Sequence, residues 1–134
     1  MTKIESKIGK ISNSDKRIFN YLSNFNNLEN IIPRDKVTNW KSTEDSCHFS
    51  MSGIGDLGMR IIEKEANKLI KITGDSQVPL KFFFWIQLKQ VAENDTRIKL
   101  TIKADLDPMM KIMSIKSMEK FVNMLVDELE KFPF

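Results

Sequence analysis

Between Val37 and Leu106 apolar and polar residues alternate with a period of two, the mark of strands with one face buried. Six such stretches are expected: Val37–Ser42, Cys47–Met51, Leu57–Glu65, Leu69–Thr73, Phe82–Val91 and Arg97–Leu106. Polar or turn-forming residues separate them: Thr43-Glu44-Asp45, Gly53-Ile54-Gly55-Asp56, Ala66-Asn67-Lys68, Gly74–Pro79 and Glu93-Asn94-Asp95. Connections this short join only antiparallel neighbours, because a parallel crossover takes a dozen residues or more. Ahead of this meander, Lys3–Ile11 reads as a first strand with a bulge or bend near Gly9, where its apolar positions change parity. Asn13 or Ser14 then caps a short helix carrying Ile18, Tyr21, Leu22 and Phe25. The run Asn24–Asn27 breaks it, and Leu28–Ile32 is expected as a second short helix, stopped by Pro33.

The period returns to a helical one after Asp107-Pro108, an N-cap followed by proline at the first helical position. Met118, Phe121, Val122, Leu125, Leu129 and Phe132 form one stripe, opposite Glu119, Lys120, Asp127 and Glu130. Met109, Met110 and Met113 fall off that stripe while Lys111 falls on it. The pattern therefore predicts a turn at Pro108–Met113, a bend near Ser114–Ser117 and a helix from there to about Lys131. A sheet that is apolar on one face needs a cover, and only this C-terminal helix is long enough to provide it.

Composition narrows the chemistry. The chain has 134 residues, one cysteine (Cys47) and one histidine (His48), so an intrachain disulfide and a thiolate zinc cluster are both excluded. No run of about 18 apolar residues occurs, and the N-terminal residues lack the apolar core of a signal peptide, so the expected location is cytoplasmic, with no stable membrane insertion. A net charge of +3 is spread over lysines scattered among acids. Nucleic-acid binding would call for a basic stripe, and none is present.

Three arrangements resemble catalytic or cofactor motifs. Gly53-Ile54-Gly55-Asp56-Leu57-Gly58 matches the dinucleotide pattern letter for letter, and Asp75 follows about 20 residues on. The preceding strand is half polar, Asp56 would set a carboxylate against a pyrophosphate, and no strand–helix alternation follows, so a hairpin turn explains the glycines better. Cys47 and His48 are neighbours on a strand and point to opposite faces, which leaves a buried thiol and a surface imidazole. Asp105 and Asp107 share strand parity and could form an acid–base pair, but capping already accounts for Asp107. Glu63 and Glu65 read as solvated. No catalytic residue, metal site or cofactor is assigned.

The aromatic segment Phe82-Phe83-Phe84-Trp85 is apolar on both faces. Phe84, Ile86 and Leu88 belong to the inner set. Phe83 and Trp85 face outward, where they would pack under a neighbour or form a patch for self-association. Five methionines between Met109 and Met124 suit an adaptable surface at one end of the sheet.

Taken along its whole length, the chain resembles the START-like and polyketide-cyclase-like (SRPBCC) superfamily. Ser14–Ile32 is similar to its two-helix insertion, Lys81–Leu106 to its last hairpin and Ser117–Lys131 to its closing helix. Phe84-Trp85-Ile86-Gln87-Leu88 and Ile102-Lys103-Ala104-Asp105-Leu106-Asp107-Pro108 resemble small stand-alone bacterial members. The implied fold is α+β, a helix-grip domain spanning residues 1–134. In it, a curved antiparallel sheet of six to seven strands wraps around a long C-terminal helix, with two short helices after the first strand. The resemblance further implies a cavity between sheet and helix for a hydrophobic small molecule, lipid- or polyketide-like. By parity the lining would be Phe49, Met51, Met59, Ile61, Phe84, Ile86, Leu88, Leu100 and Ile102, with Phe121 and Leu125 from the helix and Met110 and Met113 near the mouth. Three functions follow from this frame: a binding or carrier module, a cyclase- or dehydratase-like enzyme in the same cavity, or a filled-core protein that binds a partner or a second copy through Phe83 and Trp85. An apolar cavity of at least ~300 Å³ would favour the first, and an inward-facing acid or histidine the second.

Overall fold

A computed structural model describes residues 2–51, 55–75, 81–105 and 111–134, with side chains in the last segment from Ile115 onward. In chain order the described elements are β1 (Thr2–Glu5), β2 (Gly9–Ile11), α1 (Asp15–Leu22), α2 (Phe25–Leu28), β3 (Val37–Ser42), β4 (Ser46–Met51), β5 (Gly55–Glu65), β6 (Leu69–Gly74), β7 (Phe82–Ala92), β8 (Asp95–Ala104) and α3 (Lys111–Lys131). The strands form one antiparallel sheet in the order β1-β8-β7-β6-β5-β4-β3, with β2 also on β8. All six expected meander strands are present, each joined to the next as a neighbour. Asn67 and Asn94, in the β5–β6 and β7–β8 turns, have φ of 64° and 51°, left-handed values that asparagine tolerates better than most residues.

The expected first strand is divided. Glu5 pairs with Thr101 and Gly9 with Ile98, so β1 and β2 together carry one residue more than the stretch of β8 they oppose. Ser6 bridges the gap: its N–H donates to Leu100 O (2.8 Å) and its hydroxyl accepts from Leu100 N–H (2.9 Å). The extra residue turns Ile8 out to solvent while Ile4 and Ile11 stay buried. This division raises the strand count above the expected six to seven.

Two helix boundaries also depart from expectation. Ser14 caps α1 by accepting from Arg17 N–H (3.2 Å), as expected. The second helix, however, runs over Phe25–Leu28 rather than Leu28–Ile32. Asn24, expected to act as a breaker, is its N-cap, accepting from Asn26 N–H (2.9 Å). The C-terminal helix runs unbroken through the bend expected at Ser114–Ser117. No glycine or proline occurs from Lys111 to Lys131, and methionine and lysine are good helix formers, so the change of apolar face does not interrupt the helix. At 21 residues α3 is about 31 Å long. Asp107-Pro108, with Met109 and Met110, lies outside the described residues.

The core fills the space between sheet and α3. Met118, Val122, Val126 and Leu129 are buried along α3 against Ile4, Ile98, Leu100 and Ile102 of the sheet. The helix sits closest to β1, β2 and β8. Gly9 makes that approach possible: a Cβ there would lie 2.5 Å from Val126 Cγ1 and 3.1 Å from Ile98 Cγ2. Asn123, Asp127 and Glu130, spaced to share one face of α3, reach the same edge. Asn123 Oδ1 accepts from Lys7 N–H (2.8 Å), Glu130 Oε2 accepts from Lys10 N–H (3.0 Å), and Asp127 pairs with the Lys7 ammonium. These side chains occupy backbone donors that an edge strand would otherwise offer to another chain. At the C-terminus Phe132 and Phe134 pack on Tyr21 of α1, with centroids 4.9 and 5.5 Å away.

Gly9→Ala should destabilise the protein by about 1–3 kcal/mol through overpacking. Pairing it with Val126→Ala should recover part of that loss, measured as urea-unfolding midpoints of the single and double variants.

Candidate ligand cavity

Short ties place the α1–α2 segment over the end of the sheet near β3 and β4. Phe25 N–H donates to Glu44 O (2.8 Å), and Ser42 Oγ donates to Asn26 Oδ1 (2.7 Å). Leu28, Ile31 and Ile32 thereby form a wall opposite the inner face of the sheet. With α3 seated toward β1, β2 and β8, a cavity of about 100 Å³ remains between the sheet, α3 and this wall. It is smaller than the ~300 Å³ of ordinary ligand sites, yet well above the ~10–15 Å³ that one water needs. Every described residue lining it is apolar.

Of the residues expected to line it, Phe49, Met51, Met59, Phe84, Ile86, Leu100, Ile102, Phe121 and Leu125 do so. Ile61 and Leu88 face the core without reaching the cavity. Ile61 stands beside the β5 bulge between Ile61 and Glu63, and Leu88 lies toward the end of the sheet where Asp15 N–H of α1 donates to Gln90 Oε1 (3.0 Å). Met110 lies outside the described residues, and Met113 falls in the part of α3 without described side chains. Parity reasoning did not find Leu22, Leu28, Ile31, Ile32, Val37, Trp40, Leu57, Ile72, Phe82, Met118 or Leu129, which complete the lining. Leu28, Ile31 and Ile32 had a signal in their i, i+3, i+4 spacing.

Trp40 has no such signal. Strict alternation from Val37 would send it outward. Thr38 pairs with Ser50 and Lys41 with His48, so Asn39 and Trp40 together oppose Phe49 in a β-bulge. Asn39 takes the left-handed φ of 57°. Trp40 consequently faces inward, stacked on Phe49 (centroids 5.4 Å apart, planes 24°) with Phe25 at its edge (6.5 Å).

The motif-like arrangements resolve as structure. Gly55 pairs with Met51 across an antiparallel β4–β5 hairpin, the connection that argues against a dinucleotide loop; residues 52–54 lie outside the described residues. Ser50 Oγ donates to Asp56 Oδ1 (2.6 Å). Cys47 is buried and His48 exposed, on opposite faces. His48 Nε2 lies 3.1 Å from Asp75 Oδ2, its ring so close over Gly58 that a Cβ there would meet it at 2.8 Å. Asp105 is exposed, and Asp107 lies outside the described residues. Glu63 and Glu65 are exposed. Phe83 and Trp85 face outward, half-buried, with Lys71 Nζ 5.0 and 5.5 Å from their ring centroids and Lys103 Nζ 5.8 Å from that of Trp85. No group of three or more histidine, cysteine or acidic residues able to hold a metal occurs among the described residues. None of their helices is long and apolar enough to cross a membrane.

No protein-family model matches the chain, and no curated protein matches it. Solved structures match it over nearly its full length. XoxI from Bacillus cereus superposes with a TM-score of 0.77 at 13% identity, covering 98% of this chain and 94% of that one. A START superfamily protein from Mycobacterium smegmatis gives 0.68 at 13%, covering 96% and 94%. The di-domain ARO/CYC protein BexL gives 0.74 at 11%, covering 97% of this chain and 45% of BexL. The fold is START-like and polyketide-cyclase-like. At these identities the likeness concerns the fold alone. Within the START-like frame, α3 is the gripped helix and the α1–α2 segment is the insertion that closes the cavity.

Burial pushes the Cys47 thiol up from its ordinary 9.0 to about 12, against a small opposing effect of the Met59 backbone. The sign follows: Cys47 favours the folded state fully below pH 9, and that contribution fades as pH rises from 9 toward about 12. At pH 8 a disulfide reagent should label the native thiol at least about 100-fold more slowly than the urea-unfolded one. Equal rates would put the thiol at the surface.

Proposed function

We propose that the chain is a cytoplasmic binding or carrier module for a hydrophobic small molecule, held between the sheet and α3. The observation that carries this reading is a cavity lined, among the described residues, by apolar side chains alone, inside a START-like fold. Its affinity would come from removing apolar ligand surface from water, at ~25 cal/mol per Å². The volume sets a size: an engineered apolar cavity of ~150 Å³ admits benzene, so a cavity of about 100 Å³ takes a short branched chain as it stands and a small ring once the wall yields. A lipid- or polyketide-like ligand would place such a portion in the cavity and displace the surrounding wall for the remainder. The cyclase- or dehydratase-like alternative has less support, because no ionisable side chain lines the cavity among the described residues. The buried unpaired thiol of Cys47 suits a reducing compartment. The reading invokes neither a cofactor nor nucleic acid.

Native mass spectrometry of the purified protein should show a bound apolar molecule. Titrating the emptied protein with toluene should shift the methyl resonances of Met51 and Met59. Leu125→Trp, which enlarges a lining residue, should weaken toluene binding at least about tenfold while leaving the circular-dichroism spectrum unchanged. An absence of both a co-purified molecule and toluene shifts would refute the reading.

A homodimer through Phe83 and Trp85 is a second reading, supported by two adjacent half-exposed rings on the outer sheet face (centroids 5.9 Å apart). Their lysine neighbours would have to swing aside. Light scattering should then give a mass above 15.6 kDa that rises with concentration. Trp85→Lys should return it to the monomer, and a monomeric wild type at millimolar concentration would remove this reading.

A further inference from the structure

The sheet gathers cations that the sequence scatters. Residues paired across neighbouring strands share a face, so the register around Phe83 and Trp85 gives the make-up of the outer side of β6, β7 and β8. Lys103 stands opposite Phe83 and Lys71 opposite Trp85; farther along, Lys99 stands opposite Gln87 and Arg97 opposite Lys89. Against these five cations the three strands carry one acid, Asp95, which pairs with Arg97 (3.1 Å). Acids border the patch on either side: Glu5 of β1 pairs with Lys99 (2.7 Å), and Glu63 of β5 stands opposite Lys71. Lys71, Lys89 and Lys103 have no carboxylate within ion-pair distance among the described residues. With a net charge of +3 over the whole chain, this one face holds more than the entire excess.

Two of these lysines lie on the half-buried rings, Lys71 Nζ 5.0 and 5.5 Å from the centroids of Phe83 and Trp85 and Lys103 Nζ 5.8 Å from that of Trp85. An ammonium on a ring face keeps N–H donors for a further partner while the ring holds it in place. A partner that stacked on the rings would displace the lysines, and a second copy of the chain would set them against the same cations. A partner that brings anionic oxygens to the ammonium groups leaves the arrangement as it stands. We infer that the outer face of β6, β7 and β8 docks on a membrane surface of anionic lipid. Headgroup oxygens meet Lys71, Lys89, Lys99 and Lys103, and the Phe83 and Trp85 rings lie at headgroup level, where apolar bodies with charged or polar tips are at home. The cations cover an area about 10 Å across the strands and about 20 Å along them, not a line. A fluid anionic surface meets such a spread of flexible stems without a matching fixed pattern. The docking is peripheral and reversible. It uses the face of the sheet opposite the cavity and holds whatever the cavity binds.

Co-sedimentation with lipid vesicles tests this. Vesicles of equal parts phosphatidylserine and phosphatidylcholine should bind the protein at least about tenfold more tightly than phosphatidylcholine alone. Binding should be lost near 1 M salt, where the Debye length falls to about 3 Å. One basic residue near an anionic surface is worth about fivefold in affinity, so Lys71→Gln with Lys103→Gln should weaken binding about 25-fold. Lys16→Gln with Lys120→Gln removes the same charge from exposed positions on α1 and α3 and should change binding less than about twofold. In the wild type, tryptophan emission should move to shorter wavelength on the anionic vesicles, and Trp85→Phe should abolish that shift. Equal losses in the two lysine pairs, or no preference for anionic vesicles, would overturn the inference. Binding of a single-stranded oligonucleotide in place of vesicles, or a dimer that forms in place of vesicle binding, would also overturn it, since each gives the face another occupant.

Discussion

The off-centre seat of α3 on the sheet is the constraint on which the rest of the molecule depends. A 21-residue helix carrying Met118, Val122, Val126 and Leu129 must bury that stripe, and the missing side chain at Gly9 lets it do so against β1, β2 and β8. The backbone donors of Lys7, where the first strand divides, and of Lys10, on the open edge of β2, then meet Asn123 and Glu130. Apolar contact pulls the helix to one side and polar contacts fix its register there. Neither would serve alone: the stripe could slide, and the exposed polar ties are weak against solvent.

Because α3 is drawn to that side, the inner faces of β3 to β7 need another cover. The α1–α2 segment supplies it, held by Glu44 and Ser42 at one end and by the packing of Tyr21 with Phe132 and Phe134 at the other. What the two covers leave unfilled is the cavity. Its apolar character follows from the same requirement that built it, since an inner sheet face without water must carry side chains with no hydrogen bonds to satisfy. Trp40 keeps to that rule as well, since it presents ring carbons to the cavity.

Much of this was legible along the chain. The period-two stretches located all six meander strands, because a half-buried strand must alternate. The change of parity near Gly9 signalled the irregularity that divides β1 from β2. Seven cavity residues followed from strand parity and two, Phe121 and Leu125, from the helical stripe; parity also gave the buried thiol of Cys47 and the exposed imidazole of His48. Ile61 and Leu88 share the inner parity yet miss the cavity, since parity gives a face and not a position along it. The capping role of Asn24 was hidden because asparagine both breaks and begins helices, and which it does depends on the backbone that follows. The continuity of α3 was hidden because a change of apolar face resembles a bend whenever the surroundings of the helix are unknown.

The sequence by itself determined which elements form and which face of each is apolar, since these are properties of a residue and its near neighbours. It also determined the scarcity of reactive groups. Only the tertiary structure decided where α3 sits, how much space remains beneath it, and that Trp40 turns inward. The seat of the helix is a contact between Gly9 and Val126, far apart in the chain, and the volume is a difference between surfaces that local pattern does not encode. The direction of Trp40 rests on one extra residue in β3 relative to β4. That is a property of their pairing, and it exists only once the two strands have met.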